Sequence, residues 1–325
     1  MTVNKRAIKN FRYGKVAGWL RRNSSKRRAK IKEIRDLYNH LGLIDSSCTI
    51  CKSTDFQLLS EADRYGFDIK KQICLSCDLV QSNPRPSKEF HNIFYGSHYR
   101  KLYTGKDLPV DYDSMTSDFN AKGKIILDIF RKVELNNLKE YNVIEIGCSS
   151  GGILKYLEPF VKDVYGCDLD EEAVQYARKK LNLKVNLGEK PKFIPETKNI
   201  FILSHVLEHV FDPLQFVVEI RSTLKSNDLL YIAVPGLNMV KHGMYKYDLR
   251  RYFHLAHVTD FTKKTLENLL ITAGFKTLYI DEQIESVFKV SQKKKKITLT
   301  QNENAISDIL DIVKSRNFFK SLFRN

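Results

Sequence analysis

The segment Val143-Ile144-Glu145-Ile146-Gly147-Cys148-Ser149-Ser150-Gly151-Gly152 constrains this chain more than any other. An apolar strand runs into a small glycine-rich turn and on into an apolar helical stretch, residues 153–161. Gly147 and Gly151 can take positive φ and put no Cβ in a ligand's way, and the helix that follows starts with unpaired N–H groups. A dinucleotide fingerprint would read Gly-x-Gly-x-x-Gly; here Glu145 precedes Gly147 by two positions and Ser149 stands where a middle glycine would be. Glu145 would repel a pyrophosphate and suits a cation such as an amino group. About twenty residues further on, Val164-Tyr165-Gly166-Cys167-Asp168 reads as a second strand ending in an acid, placed to accept hydrogen bonds from ribose hydroxyls. An acid for an ammonium and an acid for a ribose, without a phosphate cradle, describe S-adenosylmethionine. The candidate cofactor-binding residues are Glu145, Gly147, Cys148, Ser149, Gly151, Asp168, Leu169 and Ser204.

Strand and helix signals alternate along the rest of this region. Strands are expected at 142–146, 163–167, near Val185, at 199–203, 229–234, 277–280 and 286–290, with helices at 152–161, 171–181, 213–224 and 262–273. This order predicts an α/β fold with a doubly wound, Rossmann-like sheet. Ligands in such sheets bind beyond the carboxyl ends of the strands, which puts Gly147, Asp168, Ser204 and Pro235 on one rim.

Ahead of it stand Cys48-Thr49-Ile50-Cys51 and Cys74-Leu75-Ser76-Cys77. Two such knuckles can bring four thiolates to tetrahedral positions around Zn²⁺, so Cys48, Cys51, Cys74 and Cys77 are expected to form a small N-terminal zinc ribbon. Four cysteines close the coordination shell, which favours a structural role. The stretch between the knuckles alternates as a hairpin would. Cys148 and Cys167 fit small buried thiols.

Glu145-x-Gly147-x-x-x-Gly151, the strand-end Asp168, Ser204-His205-Val206-Leu207-Glu208-His209-Val210 and the strand ending at Pro235 stand in the order of the class I S-adenosylmethionine-dependent methyltransferases. Over about residues 115–285 the chain resembles the small-molecule branch of that family, which includes ubiquinone-type O-methyltransferases and methyltransferases of sugar and polysaccharide pathways. The resemblance implies a methyltransferase sheet, and the exit from the cysteine module, residues 79–87, resembles bacterial enzymes of nucleotide-sugar and surface-polysaccharide biosynthesis. It further implies that the Tyr-rich connector ahead of the first strand folds over the cofactor. In ubiquinone-type enzymes the positions matching His205, Glu208 and His209 carry Glu, Glu and His and resemble a metal site; His205 departs from that set.

If the chain continues helically after the fourth strand, His205, Glu208 and His209 share one face. His205 and His209 are candidate bases, because imidazole titrates near working pH, and His254 and His257 form a second set. His-x-x-Glu-His is also an inverted zinc-protease pattern, but a strand leads into it and Asp212-Pro213 opens a new element, which excludes the long helix such a site needs. Residues 236–260 interleave Lys241, His242, Lys246, Arg250 and Arg251 with Tyr245, Tyr247, Tyr252 and Phe253, a composition suited to an anionic, ring-bearing acceptor.

Charge separates the ends from the middle. Of the net +16, residues 1–35 hold +12 and residues 289–325 hold +6, which leaves 36–288 at −2. The organisation expected is a basic helical arm at 1–45, the zinc ribbon at 46–90, a connector capping the cofactor at 91–135, the methyltransferase domain at 136–290 and a basic tail helix at 291–325. The arm carries Trp19, Leu20, Ile31, Ile34, Leu37 and Leu41 at helical spacing, suited to its own protein, a membrane surface or a partner. No apolar run is long enough to span a bilayer, and no apolar signal region follows the basic residues 1–9, so a cytoplasmic enzyme, peripheral at most to the inner membrane face, is expected. The function expected is methyl transfer to an O or C atom of a small-molecule or glycan acceptor. The rival is an RNA-binding protein or RNA methyltransferase that uses the ribbon and the arm, and a third reading is a scaffold that keeps the fold without turnover.

Overall fold

The computed structural model describes residues 25–99, 102, 110–135 and 137–291. In chain order the N-terminal half contains helix α1 (Ser25–Leu41), β1 (Leu43–Ile44), β2 (Phe56–Ser60), β3 (Lys71–Cys74), β4 (Val80–Ser82), β5 (Arg85–Pro86), α2 (Lys88–Ile93) with a π-helical turn Phe94–His98, and the long helix α3 (Tyr112–Lys132). The second half runs β6 (Tyr141–Ile146), α4 (Gly152–Leu157), β7 (Asp163–Asp168), α5 (Glu171–Leu181), β8 (Lys184–Leu187), β9 (Lys198–Ser204), α6 (Pro213–Thr223) and β10 (Leu229–Ala233). It closes with α7 (Leu249–Tyr252), β11 (Thr259–Asp260), α8 (Lys263–Thr272), β12 (Phe275–Ile280) and β13 (Glu285–Val290).

Seven strands form the main sheet in the order β12-β13-β10-β9-β6-β7-β8. β8, β7, β6, β9 and β10 are mutually parallel, whereas β13 runs antiparallel to both β10 and β12. The α/β, doubly wound reading of the sequence holds. Order reverses beside β6, whose neighbours are β7 and β9, and the crevice at that reversal is where such sheets take ligands.

Strand alternation sorts side chains into two layers. Val143 faces a layer built from Ile126 and Phe130 of α3, Leu154 of α4 and Ala177 of α5. Its neighbour Ile144 faces the opposite layer, where Val217 and Ile220 of α6 and Leu266 and Leu270 of α8 pack. Local signals set the helix ends: Asp170 accepts from the Ala173 N–H at the start of α5, which ends at the left-handed Asn182, and Asp212 does the same before Pro213 in α6.

Three features bear on the sequence expectations. Residues 112–132 form one long helix, α3, in what reads as connector; its Gly123 is there because an added Cβ would lie 2.7 Å from Tyr156 Cβ of α4. The apolar face of α1 packs on the protein itself: Ile31, Ile34 and Tyr38 are buried with Phe67, Phe90 and Phe94, so that stripe is not available to a membrane or a partner. Trp19, Leu20 and the tail helix expected beyond residue 291 lie outside the described residues.

The third feature concerns the cysteine hairpin. β2, β3 and β4 join β11 in a four-stranded sheet, ordered β11-β4-β3-β2, so a strand from the loop after β10 completes the ribbon. Cys48, Ile50, Cys74, Cys77 and Leu79 lie in the same apolar core as Leu203, Leu207 and Phe261. The hairpin and the main sheet are packed through a shared interior.

Candidate active site

The turn after β6 is tightly bound to its neighbour strand. Gly147 and Cys148 both donate their N–H to the Cys167 carbonyl, at 2.8 and 3.0 Å. Gly147, Ser149 and Gly151 have φ of +77°, +48° and +83°. Packing alone requires the glycines: a Cβ on Gly147 would meet Val206 Cγ2 at 2.5 Å, and one on Gly151 would meet Leu183 Cδ1 at 2.5 Å. The Cys148 thiol is buried beneath Gly166, so with its N–H also spent it has little to offer a ligand, contrary to its place among the expected binding residues.

Glu145 sits on β6 at 2% exposure, with Oε2 lacking any hydrogen-bond partner. Burial, then the nearby Asp168 carboxylate, push its pKa up to about 8, and the Lys122 ammonium pulls the other way. A buried carboxyl with a vacant oxygen at the mouth of a parallel sheet is suited to an incoming cation. Asp168 closes β7 one strand away. Its Oδ2 accepts from the Ser149 N–H at 2.7 Å and its Oδ1 from the Asp170 N–H at 2.8 Å. A carboxylate presents about four acceptor sites in all. Leu169 follows, 58% exposed, as an apolar surface beside the acid. Ser204 ends β9 and is half-buried, paired in register with Ala233.

Helix α3 crosses the start of α4: Thr116 Oγ1 donates to Ser150 Oγ at 2.9 Å, and a Cβ on Gly152 would lie 2.6 Å from the Thr116 carbonyl. Lys122 on the same helix is half-buried. Burial lowers its pKa, and Glu208, Glu285 and Glu145 oppose the drop. Glu285, opposite Ala233 in register, accepts a short hydrogen bond from the Tyr231 hydroxyl, and burial pushes its pKa up to about 7. Lys122 and Glu285 were missed in the sequence, because only tertiary packing brings them to the rim.

After β9 the chain does not continue as an α-helix. His205 is left-handed, φ +56°, and a single 3-10 turn covers Leu207–His209. The three side chains still converge. His205 Nδ1 is 3.3 Å and His209 Nε2 3.7 Å from Glu208 Oε1, with Glu208 buried and His205 40% exposed. Burial would raise the Glu208 pKa, but the imidazoles of His209 and His205 outweigh it and bring it down to about 2. Burial also drives His209 down to about 4, against the pull of the Glu208 carboxylate.

The His209 tautomer follows from its partners. The Tyr95 hydroxyl donates to the Ala256 carbonyl at 2.7 Å, and His209 Nδ1 faces both that oxygen, at 3.1 Å, and Tyr95 Oη, at 2.8 Å. Two acceptors demand that Nδ1 carries the proton, which leaves the Nε2 lone pair turned toward Glu208. Tyr95 and Tyr99 from the connector thus pack on the histidine cluster.

His257 reaches the same cluster, its ring 4.9 Å from that of His209; Glu208, His209 and His257 each offer a donor atom within 4.8 Å of the others. His254 does not reach the cleft in a usable state. It is buried, its Nδ1 accepts from the Ala256 N–H at 2.8 Å, and burial holds it neutral, so it serves the loop and not proton transfer. Tyr252 and Phe253 are likewise buried, with Ile73, Val80 and Val240, and are not free to stack on an acceptor. Lys246 is exposed and Lys241 and Arg251 are half-buried, whereas the side chains of Tyr247 and Arg250 lie outside what is described.

The four ribbon cysteines converge as their spacing predicts, with Cys48 Sγ 3.4 Å from Cys77 Sγ and Cys51 Sγ 3.5 Å from Cys74 Sγ. All four sulfurs lie within 4.8 Å of one another, against about 3.8 Å for a tetrahedron of 2.3 Å Zn–S bonds. The knuckles repeat one geometry: Lys52 N–H donates to the Cys48 carbonyl and Asp78 N–H to that of Cys74, both at 2.9 Å, with Lys52 and Asp78 left-handed. The donor set fits zinc.

The family model described as "Methyltransferase domain" matches residues 118–280. Two Mycobacterium tuberculosis proteins named probable S-adenosylmethionine-dependent methyltransferase, from strains CDC 1551 / Oshkosh and ATCC 25618 / H37Rv, are each 27% identical over 139 residues, 41% of this chain and 48% of theirs. The chain therefore spans about half the length of the curated relatives it matches. Among solved structures, the plantazolicin methyltransferase BpumL in complex with SAH is 17% identical with a TM-score of 0.45, over 68% of this chain and 88% of that one. An S-adenosylmethionine-dependent methyltransferase from Clostridium acetobutylicum is 13% identical with a TM-score of 0.39, over 62% and 98%. With the family match spanning half the chain, including most of α3, the Glu145–Asp168 rim and the histidine cluster, the protein belongs to the methyltransferase-domain family.

Proposed function

We propose that this protein is an S-adenosylmethionine-dependent methyltransferase that acts on an oxygen or carbon atom of a small-molecule or glycan acceptor, in sugar or surface-polysaccharide biosynthesis in the cytoplasm. The observation that carries the reading is the pair of acids at the sheet's switch point: Glu145, buried with a vacant oxygen, and Asp168 on the next strand, already ordered by the turn. When bound, the cofactor supplies an activated methyl group on a cationic sulfur.

Glu145 would meet the ammonium of its methionine part, Asp168 its ribose, and Leu169 would lie beside its base. Glu208 would hold His205, the most exposed of the cluster, which would take the proton from an acceptor hydroxyl or carbon acid. Tyr95 keeps His209 in one tautomer, and Tyr95 and Tyr99, packed on that histidine, would help to shield the cleft from water. An anionic part of the acceptor would be met at the mouth by Lys241, Lys246 and Arg251. Zn²⁺ on Cys48, Cys51, Cys74 and Cys77 would hold the ribbon.

The sugar class comes from the resemblance of the ribbon and its exit segment. The test is transfer of a labelled methyl group from S-adenosylmethionine to a panel of nucleotide sugars, oligosaccharides, simple phenols and RNA. Incorporation into a sugar, reduced about 10²-fold or more by His205→Ala, supports it; incorporation into RNA alone, or into none while the cofactor binds, overturns it.

A further inference from the structure

Lys71 opens β3, three residues before Cys74, and its side chain has no solvent exposure. An ammonium in that position needs partners, and both come from the far end of the chain. Its Nζ lies 2.7 Å from Asp260 Oδ2, itself fully buried, and also donates a short hydrogen bond to the His257 carbonyl. These two acceptors stand at the two ends of the turn 257–260. Within that turn the Val258 N–H donates to the Glu208 carbonyl at 2.8 Å, and the Val258 carbonyl accepts from the Ser82 N–H of β4 at 2.9 Å. The Ser82 hydroxyl adds a bond to the His257 carbonyl, and β11 pairs with β4 through Thr259↔Gln81 and Asp260↔Val80. The second Asp260 oxygen, Oδ1, is buried without a hydrogen-bond donor and lies 3.7 Å from His257 Nδ1.

We propose that Lys71 is a positioning residue: it clamps both ends of the 257–260 turn to the cysteine hairpin and so aims the Asp260 carboxylate at His257, which packs against His209. The ribbon would then act as a brace for the histidine cluster. A free-standing ribbon would not need a buried ion pair whose partner is 189 residues away. The pair sets a direction as well as a distance, because one Asp260 oxygen is committed to Lys71 and the other is thereby turned to the imidazole. The proposal rests on the reading that this cluster serves methyl transfer, and its test is chosen to be independent of turnover.

The experiment compares the zinc-loaded wild-type protein with Lys71→Met and Asp260→Asn. Metal content and S-adenosylmethionine affinity are measured first, and the histidine ring nitrogens are then followed by long-range ¹H–¹⁵N NMR across a pH series. The expected result for Asp260→Asn, which keeps a hydrogen-bond acceptor for Lys71, is one zinc per chain and cofactor affinity within about threefold of wild type, with changed His257 and His209 ring signals and titration. The exposed His242 should not move. Once an acceptor is in hand, kcat should fall ~10- to 100-fold with little change in cofactor KM, the scale of a small misplacement. Lys71→Met should shift the same two histidines. Asp260→Asn that leaves both ring signals and their titration unchanged would overturn the proposal, as would a Lys71→Met protein that is folded, zinc-loaded and unaltered at His257. Failure to bind cofactor in the wild type would instead count against the methyltransferase reading alone.

Discussion

Glu145→Gln separates the role of this buried acid from general effects on the fold. In the protein without cofactor, burial and Asp168 raise the carboxyl from its ordinary 4.5 to about 8. A group whose folded pKa is raised binds protons more tightly folded than unfolded, so its contribution is full below pH 4.5 and is lost as pH rises toward 8. Between pH 4.5 and 7 that loss is roughly 3 kcal/mol at about 1.4 kcal/mol per pH step. Denaturant unfolding of the cofactor-free protein should therefore weaken over this range, and Glu145→Gln should flatten the slope by about that amount. Binding reverses the logic. An ammonium, charged below about pH 7.7, needs the carboxylate, so cofactor binding should release close to one proton at pH 6. Affinity should rise about 15-fold from pH 6 to 7.5, as the ionised carboxyl fraction grows about 24-fold while the charged ammonium fraction falls to about six-tenths. Calorimetric titrations in buffers of different ionisation enthalpy count the released proton directly. In Glu145→Gln the release should vanish and affinity at pH 7.5 should drop roughly tenfold, the scale of one charge-assisted hydrogen bond. Wild-type binding that is flat with pH and releases no proton would refute the placement of the ammonium at Glu145.

Gly147→Ala should cost about 2 kcal/mol or more in denaturant unfolding, since φ of +77° and a 2.5 Å approach to Val206 both resist a Cβ; a loss under 0.5 kcal/mol would show that the turn is not held as described. Cys74→Ser, or strong chelation, should lower the thermal midpoint of the whole protein in one transition, because the knuckles share an interior with Leu203 and Phe261; an unchanged main transition would mean that the ribbon is energetically separate. Tyr95→Phe should leave cofactor affinity intact and lower kcat by about 3- to 30-fold, as one hydrogen bond that orients His209 is removed; unchanged kcat would remove His209 orientation from the mechanism.

What was legible in the sequence was mostly local. Glycine spacing, strand-end acids and alternating apolar patterns located the cofactor turn, and the expected helix at 171–181 has the observed bounds because Asp170 and Asn182 mark its ends chemically. The reason for the glycines was not legible: they answer to Val206 and Leu183, residues set far along the chain. Helix α3 was hidden by its internal Gly123, which weakens a helical pattern but fits against Tyr156. The histidine motif was visible, yet its helical reading failed at His205, whose left-handed backbone no periodicity reveals. Tyr95, Glu285 and the β4–β11 pairing depend on contacts between distant segments, and one-dimensional patterns carry no signal for them.

The most direct test of the central claim is a calorimetric titration of the zinc-loaded protein with S-adenosylmethionine, alongside Asp168→Asn, which retains one acceptor for the turn's N–H groups. The account predicts one cofactor per chain in the wild type, at least tenfold weaker binding in the variant, and no binding of NADH by either. A folded wild-type protein that does not bind S-adenosylmethionine, or a variant that binds it as tightly, would contradict it.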